Sequence, residues 1–230
     1  LKTIGIIGGM SWESSAQYYA IINRAVRDRL GSPHSARILM HSLDFAPIAQ
    51  MQADGEWEQL GEAMAGSARA LEAGGADCLL IATNTMHKLA DEVEEACDLP
   101  LIHIADSTAD AVCEKGLTRV ALLGTAFTME QDFYRDRLEE HHGLDVIIPD
   151  NDDRAEVHRI IYEELIAGEV RDTSREAYRE IIERLVDQGA QGVILGCTEI
   201  MLLISQSDSP VPIFDTTELH ALAAVEFALS

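Results

Sequence analysis

Apolar positions along this chain cluster into short strand-length runs, and longer stretches with helical periodicity lie between them. The runs at 3–7, 37–41, 78–82, 101–104, 119–123, 146–148, 192–195 and 212–214 predict β-strands. Helices are predicted over 13–29, 56–73, 86–96, 107–115, 130–141, 154–167, 174–188 and 218–228. Breakers separate these segments: Gly31-Ser32-Pro33, Gly74-Gly75, Gly116 and Ser207-Asp208-Ser209-Pro210. Strand and helix alternate throughout, which predicts an α/β fold with mainly parallel sheets flanked by helices.

The pattern also occurs twice. Gly75-Ala76-Asp77-Cys78-Leu79-Leu80-Ile81-Ala82-Thr83-Asn84-Thr85 aligns without a gap to Gly189-Ala190-Gln191-Gly192-Val193-Ile194-Leu195-Gly196-Cys197-Thr198-Glu199. Ile4-Gly5-Ile6-Ile7-Gly8-Gly9 matches Val120-Ala121-Leu122-Leu123-Gly124-Thr125, and Leu99-Pro100-Leu101-Ile102 matches Val211-Pro212-Ile213-Phe214. The three offsets agree to within a few residues and are close to half of the 230-residue chain. Such a period is far longer than the ~20–50 residues of solenoid repeats and indicates domain duplication. Two similar, pseudo-twofold related α/β domains are therefore expected, one of residues 1–105 with 215–230 and one of 106–214, with the active site in a cleft between them. Ligands of open parallel sheets bind outside the carboxyl ends of the strands. The alignment puts Thr83 and Cys197 at that place in the two copies.

Composition narrows the function. A hydrophobic fraction of 47% and a charged fraction of 25% belong to an ordinary globular protein. A net charge of −23 argues against nucleic acid and anionic membrane surfaces as partners, since both call for a cationic footprint. No export signal or membrane-spanning run is visible, so a cytoplasmic location with reduced thiols is expected. The four cysteines, Cys78, Cys97, Cys113 and Cys197, form no CxxC and no zinc-type spacing with histidine, and no metal site is expected.

Among the cysteines, only Cys197 sits at a strand end with polar neighbours and a helix start after it. A thiol there is expected to have its thiolate stabilised by the helix dipole and by unpaired backbone N–H groups. Cys78, Cys97 and Cys113 read as structural. Thr83-Asn84-Thr85 either caps a helix or holds a substrate carboxylate. A Thr83 hydroxyl can hand over a proton but makes a poor resting base. His87 either acts as an acid or base or packs on its helix. The Gly8-Gly9-Met10 turn is neither a dinucleotide fingerprint nor a phosphate loop, and glycine there lets backbone approach a small ligand. The equivalent turn in the second copy offers the Thr125 and Thr128 hydroxyls. A pyridoxal phosphate mechanism requires a Schiff-base lysine. Lys88 is the one lysine near the proposed site, so a cofactor-free mechanism is favoured.

Gly8-Gly9-Met10-Ser11-Trp12-Glu13-Ser14, Thr83-Asn84-Thr85-Met86-His87 and Gly196-Cys197-Thr198-Glu199 together make the chain resemble the aspartate/glutamate racemase family from first strand to last helix. The resemblance implies a cofactor-independent racemase of two α/β lobes, with the last helix returning to the first lobe. It also implies a catalytic residue in each strand-end cluster, usually a cysteine in both. Here Cys197 is retained and Thr83 replaces the other thiol. The expected site has Thr83 and Cys197 as the catalytic pair, and Met10, Gln52, Asn84, Thr85, Thr125, Thr128, Thr198 and Glu199 around the substrate. Basic residues that hold a distal carboxylate are common in the family's aspartate racemases. This chain has Gln50, Met51 and Gln52 after its second strand and Ile166 before Ala167-Gly168. The partner implied is a small amino acid, aspartate, glutamate or a neutral one of similar size, with a homodimer among the options. The alternatives are an isomerase or decarboxylase of a small carboxylate and a non-catalytic amino-acid-binding protein.

Overall fold

A computed structural model describes residues 1–230. The chain divides into two compact units, Leu1–Ile104 with His220–Ser230 and Ala105–Leu219. Each is an α/β layer structure around its own parallel sheet.

The first unit runs β1 (Thr3–Gly8), α1 (Trp12–Leu30), β2 (Arg37–Ser42), α2 (Phe45–Asp54), α3 (Trp57–Ala73), β3 (Cys78–Ile81), a 3-10 turn (Thr85–Leu89) and α4 (Ala90–Ala96). Its strands lie in the order β2-β1-β3, all parallel. Side chains alternate across the sheet with a period of two. Ile7, Leu79 and Ile81 face Leu60, Met64 and Leu71 of α3. Ile4, Ile6, Cys78 and Leu80 face Tyr18, Ile22 and Val26 of α1, together with Ala221, Ala224 and Val225 near the C-terminus. Both faces are covered, which explains why these strands read as continuous apolar runs. Fully burying one such branched side chain stabilises the fold by roughly 1.5–3 kcal/mol. Cys78 sits in this packing, and burial pushes its thiol up to about 11.

The second unit begins within α5 (Ile104–Glu114) and continues with β4 (Arg119–Gly124), α6 (Ala126–Glu130), α7 (Asp132–Asp136), a π-helical turn (Arg137–His141), β5 (Asp145–Ile147) and α8 (Asn151–Glu163). A 3-10 turn (Leu165–Ala167), α9 (Asp172–Asp187), β6 (Val193–Gly196), α10 (Ile200–Leu203) and β7 (Ile213–Asp215) follow. The last helix, α11 (Thr216–Leu229), carries the chain from the second unit back to the first. Strand order is β5-β4-β6-β7, again all parallel. Ala121, Leu123, Val193 and Leu195 pack against Val157, Ile160 and Ile161 of α8 and Tyr178, Ile181 and Ile182 of α9.

The duplication read from sequence is present in the sheets. The order β2-β1-β3 repeats as β5-β4-β6, and Leu101, bridged in parallel to Leu79, stands where β7 stands beside β6. The registers agree as well: Ile7 pairs with Ile81, and Leu123 pairs with Leu195.

Three elements differ from expectation. The strand expected at 101–104 shrinks to the single bridge at Leu101, made by Leu79 N–H to Pro100 O and Ile102 N–H to Leu79 O, because Ile102 O is taken by His220 and the chain enters α5 at Ile104. The helix expected over 130–141 is divided, since Gln131 takes extended backbone (φ −92, ψ 146) between α6 and α7. Residues 45–54, which lie outside the predicted strands and helices, form α2. Asp44 caps it through Ala46 N–H, and Gly55 (φ +73) ends it. Pro47 is tolerated in its first turn, where backbone N–H groups have no partner inside the helix.

Candidate active site

In the first unit the carboxyl ends of β1 and β3 are joined by hydrogen bonds. Ala82 N–H donates to Ile7 O at 2.9 Å. Gly9 turns the chain out of β1 at φ +89, and a Cβ there would collide with the Leu43 carbonyl, so the position demands glycine. Ser11 caps α1 by accepting Ser14 N–H, while Ser15 Oγ takes Gly9 N–H at 2.8 Å and donates to Ser11 O at 3.0 Å. The Ser14 hydroxyl in turn donates to Ala82 O at 3.1 Å, next to Thr83.

Thr83 itself is half-buried. Asn84 is the N-cap of the following 3-10 turn, and its side chain makes no capping bond there. Thr85 opens that turn, and both side chains are buried. His87, also buried, contacts Thr83 O through Nδ1 at 2.8 Å and accepts Ile104 N–H at Nε2, 3.3 Å. A carbonyl cannot donate and an amide N–H cannot accept, so Nδ1 carries the proton and Nε2 the lone pair. Both nitrogens of this neutral ring are occupied by backbone, which removes His87 as a free acid or base in the resting protein. Its ring meets those of His103 and His220 edge-on, with centroids 4.5 and 5.6 Å away.

Met10 packs in the apolar cluster with Ile7 and Ile48. Gln52 lies on α2, buried, with Nε2 donating to Met86 Sδ at 3.1 Å. The Lys88 ammonium rests 3.9 Å above the Trp57 ring, a cation–π contact.

In the second unit Cys197 follows β6 directly and is buried. Gly124 and Gly196 let the backbones of β4 and β6 close up beside it, for a Cβ on Gly124 would lie 2.8 Å from Gly196 O. The Cys197 thiol donates to Glu199 Oε2 at 3.1 Å, and Thr198 Oγ1 donates to the same oxygen at 2.8 Å. Thr125 caps α6 by accepting Thr128 N–H, and the two hydroxyls are 3.3 Å apart.

The expectation of a thiolate stabilised at a helix start is not met. Burial first, and then the Glu199 charge and hydrogen bond, push the Cys197 thiol well above its ordinary range. Backbone N–H groups of Glu199 and Ile200 pull the other way but do not prevail. The reason is structural: α10 is a single turn of four residues, too short to build a dipole, and the nearest charge is a carboxylate. Burial, and after it the Glu199 charge, hold the resting thiol protonated. Glu199→Gln removes that charge, so the Cys197 pKa is expected to fall. The rising limb of a pH–rate profile for α-proton exchange then moves to lower pH. A limb that stays in place would mean that Cys197 is not the group titrating there.

Two side chains of α8, Tyr162 within electrostatic reach of Cys197 and His158 beside it, are absent from the sequence-based site. His158 accepts Ala126 N–H at Nδ1 (3.1 Å), and burial lowers its pKa, leaving a neutral imidazole at the start of α6. Tyr162 lies one helical turn further along α8, its ring 4.5 Å from His158. Its hydroxyl is pushed up by burial, then by Cys197 and Glu199. The signal available in sequence is the i, i+4 spacing of the two rings on one helix face.

Two parallel sheets with matching strand order, each followed by a small protic side chain at the same register, define a duplicated α/β protein. The chain belongs to the Asp/Glu/Hydantoin racemase family, whose model matches residues 7–224, and it is therefore an isomerase. It is similar to a Yersinia pestis protein proposed to be an Asp/Glu racemase, with 52% identity, a TM-score of 0.95 and 100% of both chains covered. An aspartate racemase homologue from Pyrococcus horikoshii OT3 is 35% identical, with a TM-score of 0.88 and again 100% of both chains covered. Among sequence relatives, the broad specificity amino-acid racemase RacX of Bacillus subtilis (strain 168) is 23% identical over 99% of this chain and 98% of its own.

Proposed function

We propose that this protein interconverts the enantiomers of an amino acid without pyridoxal phosphate, using Cys197 and Thr83 as proton-transfer groups on opposite faces of the α-carbon. The observation that carries the proposal is the shared register. Ile7 pairs with Ile81 and Leu123 with Leu195, so Thr83 and Cys197 each stand two residues beyond equivalent strand positions. Cys197 gives up its proton as substrate enters, with Glu199 Oε2 in place to receive it, and the thiolate takes the α-proton from one enantiomer. Thr83 hands a proton to the other face and takes one from water in the same step, so that no alkoxide is left, and solvent then removes the proton held by Glu199. The buried second-unit site strengthens every charge interaction with the developing carbanion. Asn84, Thr85, Thr125, Thr128, Thr198 and Glu199 supply hydroxyl, amide and backbone groups for the substrate's polar ends. Met10 and Gln52 contribute shape.

The substrate is aspartate, glutamate or a neutral amino acid of similar size, with relaxed choice among them. Gln52 and Ile166 bring no positive charge to a distal carboxylate, and a relative with full-length similarity is described as having broad specificity. Asparagine and glutamine are expected to compete with aspartate and glutamate within roughly tenfold, the scale at which one modest contact discriminates. The test is α-deuterium exchange in D₂O for each enantiomer of these four amino acids, in buffer free of pyridoxal phosphate. A preference for aspartate by several orders of magnitude would contradict the relaxed choice, and absence of exchange on all of them would sink the racemase reading. Carbon dioxide release in the same assay would instead identify a decarboxylase.

A further inference from the structure

We infer that His87 is a positioning residue for Thr83, acting through its Nδ1–H on the Thr83 carbonyl and transferring no proton itself. The inference rests on the role proposed above for Thr83. The two peptide units that meet at the Thr83 α-carbon are each held by a side chain. Ser14 Oγ–H donates to Ala82 O at 3.1 Å, and His87 Nδ1–H bonds Thr83 O at 2.8 Å. Fixing both planes fixes φ and ψ of Thr83, and with them the direction in which its Cβ presents the hydroxyl. A strand end without these bonds relies on the following turn alone for its orientation.

The imidazole is itself well fixed. Nε2 accepts Ile104 N–H, and the rings of His103 and His220 pack on it edge-first. His220 is fixed by the same logic: Nε2 donates to Ile102 O at 2.6 Å and Nδ1 accepts the Tyr18 hydroxyl at 2.8 Å. Tyr18, His87, His103 and His220 are all buried, so exchange of these bonds for water is disfavoured. In the sequence alignment of the two copies, the second copy has Met201 where the first has His87. The thiol lobe thus lacks the device, as expected if it serves the hydroxyl in particular. A hydroxyl is the weaker acid and depends more on alignment for its proton transfer.

The experiment separates the two arms of the ring. In His87→Asn the side-chain amide N–H replaces Nδ1–H while the acceptor for Ile104 is lost; in His87→Gln the amide oxygen replaces Nε2 while the donor to Thr83 is lost. Folded fraction is checked by circular dichroism and melting, and turnover is read by α-deuterium exchange on both enantiomers of aspartate, glutamate, asparagine and glutamine. His87→Ala and His87→Gln are expected to lower kcat ~10–100-fold with little change in KM, the size of effect that a small misplacement produces. His87→Asn is expected to restore most of that loss. The double variant Thr83→Ala/His87→Gln should be no slower than Thr83→Ala, because the two act through one hydroxyl. Equal losses in the Asn and Gln variants, or losses that multiply in the double variant, would overturn the inference while leaving the Thr83 reading in place. Native-like exchange by Thr83→Ala would remove that reading, and the inference with it. Should the variants fail to fold, ¹⁵N spectra of the native imidazole decide: pyrrole-like Nδ1 and pyridine-like Nε2 are expected, and the reverse tautomer or a doubly protonated ring at neutral pH refutes it.

Discussion

Cys197→Ser is expected to abolish α-proton exchange on both enantiomers in a protein that still folds. The substitution changes one buried atom, keeps a donor for Glu199 Oε2 and leaves the packing beside Gly196 unaltered, so its cost in stability is about 1 kcal/mol. Its chemical effect is far larger. A serine hydroxyl is a much weaker acid than a thiol, and Cys197 already sits where burial and Glu199 disfavour the anion. An alkoxide there is out of reach at neutral pH. The loss belongs at the upper end of the ~10²–10⁴-fold range of general acid–base groups. The measurement is exchange of the α-proton, followed separately for each enantiomer on protein whose near-UV spectrum and melting match the native form. Native-rate exchange by the folded variant would show that another group takes the proton.

Thr83→Ala is expected to suppress interconversion by ~10²-fold while sparing exchange that Cys197 initiates on its own face. Thr83 is half-buried, and the cap position of the turn after it belongs to Asn84, so loss of a helix cap is not a competing explanation for the effect. Little stability should therefore be lost, and a selective loss of α-proton exchange on one enantiomer would be chemical in origin. Thr83→Cys restores a second thiol at the strand end. It is expected to raise turnover, most for the enantiomer whose α-proton faces that residue. Racemisation by polarimetry or chiral chromatography, set beside exchange for each enantiomer, separates the two faces. Native-like racemisation by Thr83→Ala would take Thr83 out of the mechanism and leave a water molecule as the second partner, since His87 has both nitrogens bonded to backbone.

Much of the fold was legible because parallel strands buried on both faces leave a plain trace. Each of β1, β3, β4 and β6 appears in the sequence as an apolar run, and Gly74-Gly75 lies at the helix-to-strand turn before β3. The segment at 101–104 looked like a strand for the same reason. It was shortened by contacts distant in sequence, among them the His220 bond to Ile102 O. Helix α2 lay outside the predicted helices, and its Pro47 fits a helix only because it falls in the first turn. Thr83 and Cys197 could be singled out because a duplicated chain aligns its own strand ends. His158 and Tyr162 could not, since they come from a helix with no such internal reference.

The sequence by itself determined the alternation of strand and helix, the duplication and the equivalence of Thr83 and Cys197, because these follow from periodicity and from comparing the chain with itself. Only the tertiary structure decided the electrostatic state of the thiol and the hydrogen-bonding role of His87. The thiol is set by how deeply burial removes it from water and by the 3.1 Å approach of Glu199 Oε2. The histidine is set by a carbonyl four residues away and an amide seventeen residues away that fold onto its two nitrogens. Proton affinity depends on distance and solvent exclusion, and neither is written in the order of residues until the chain has packed.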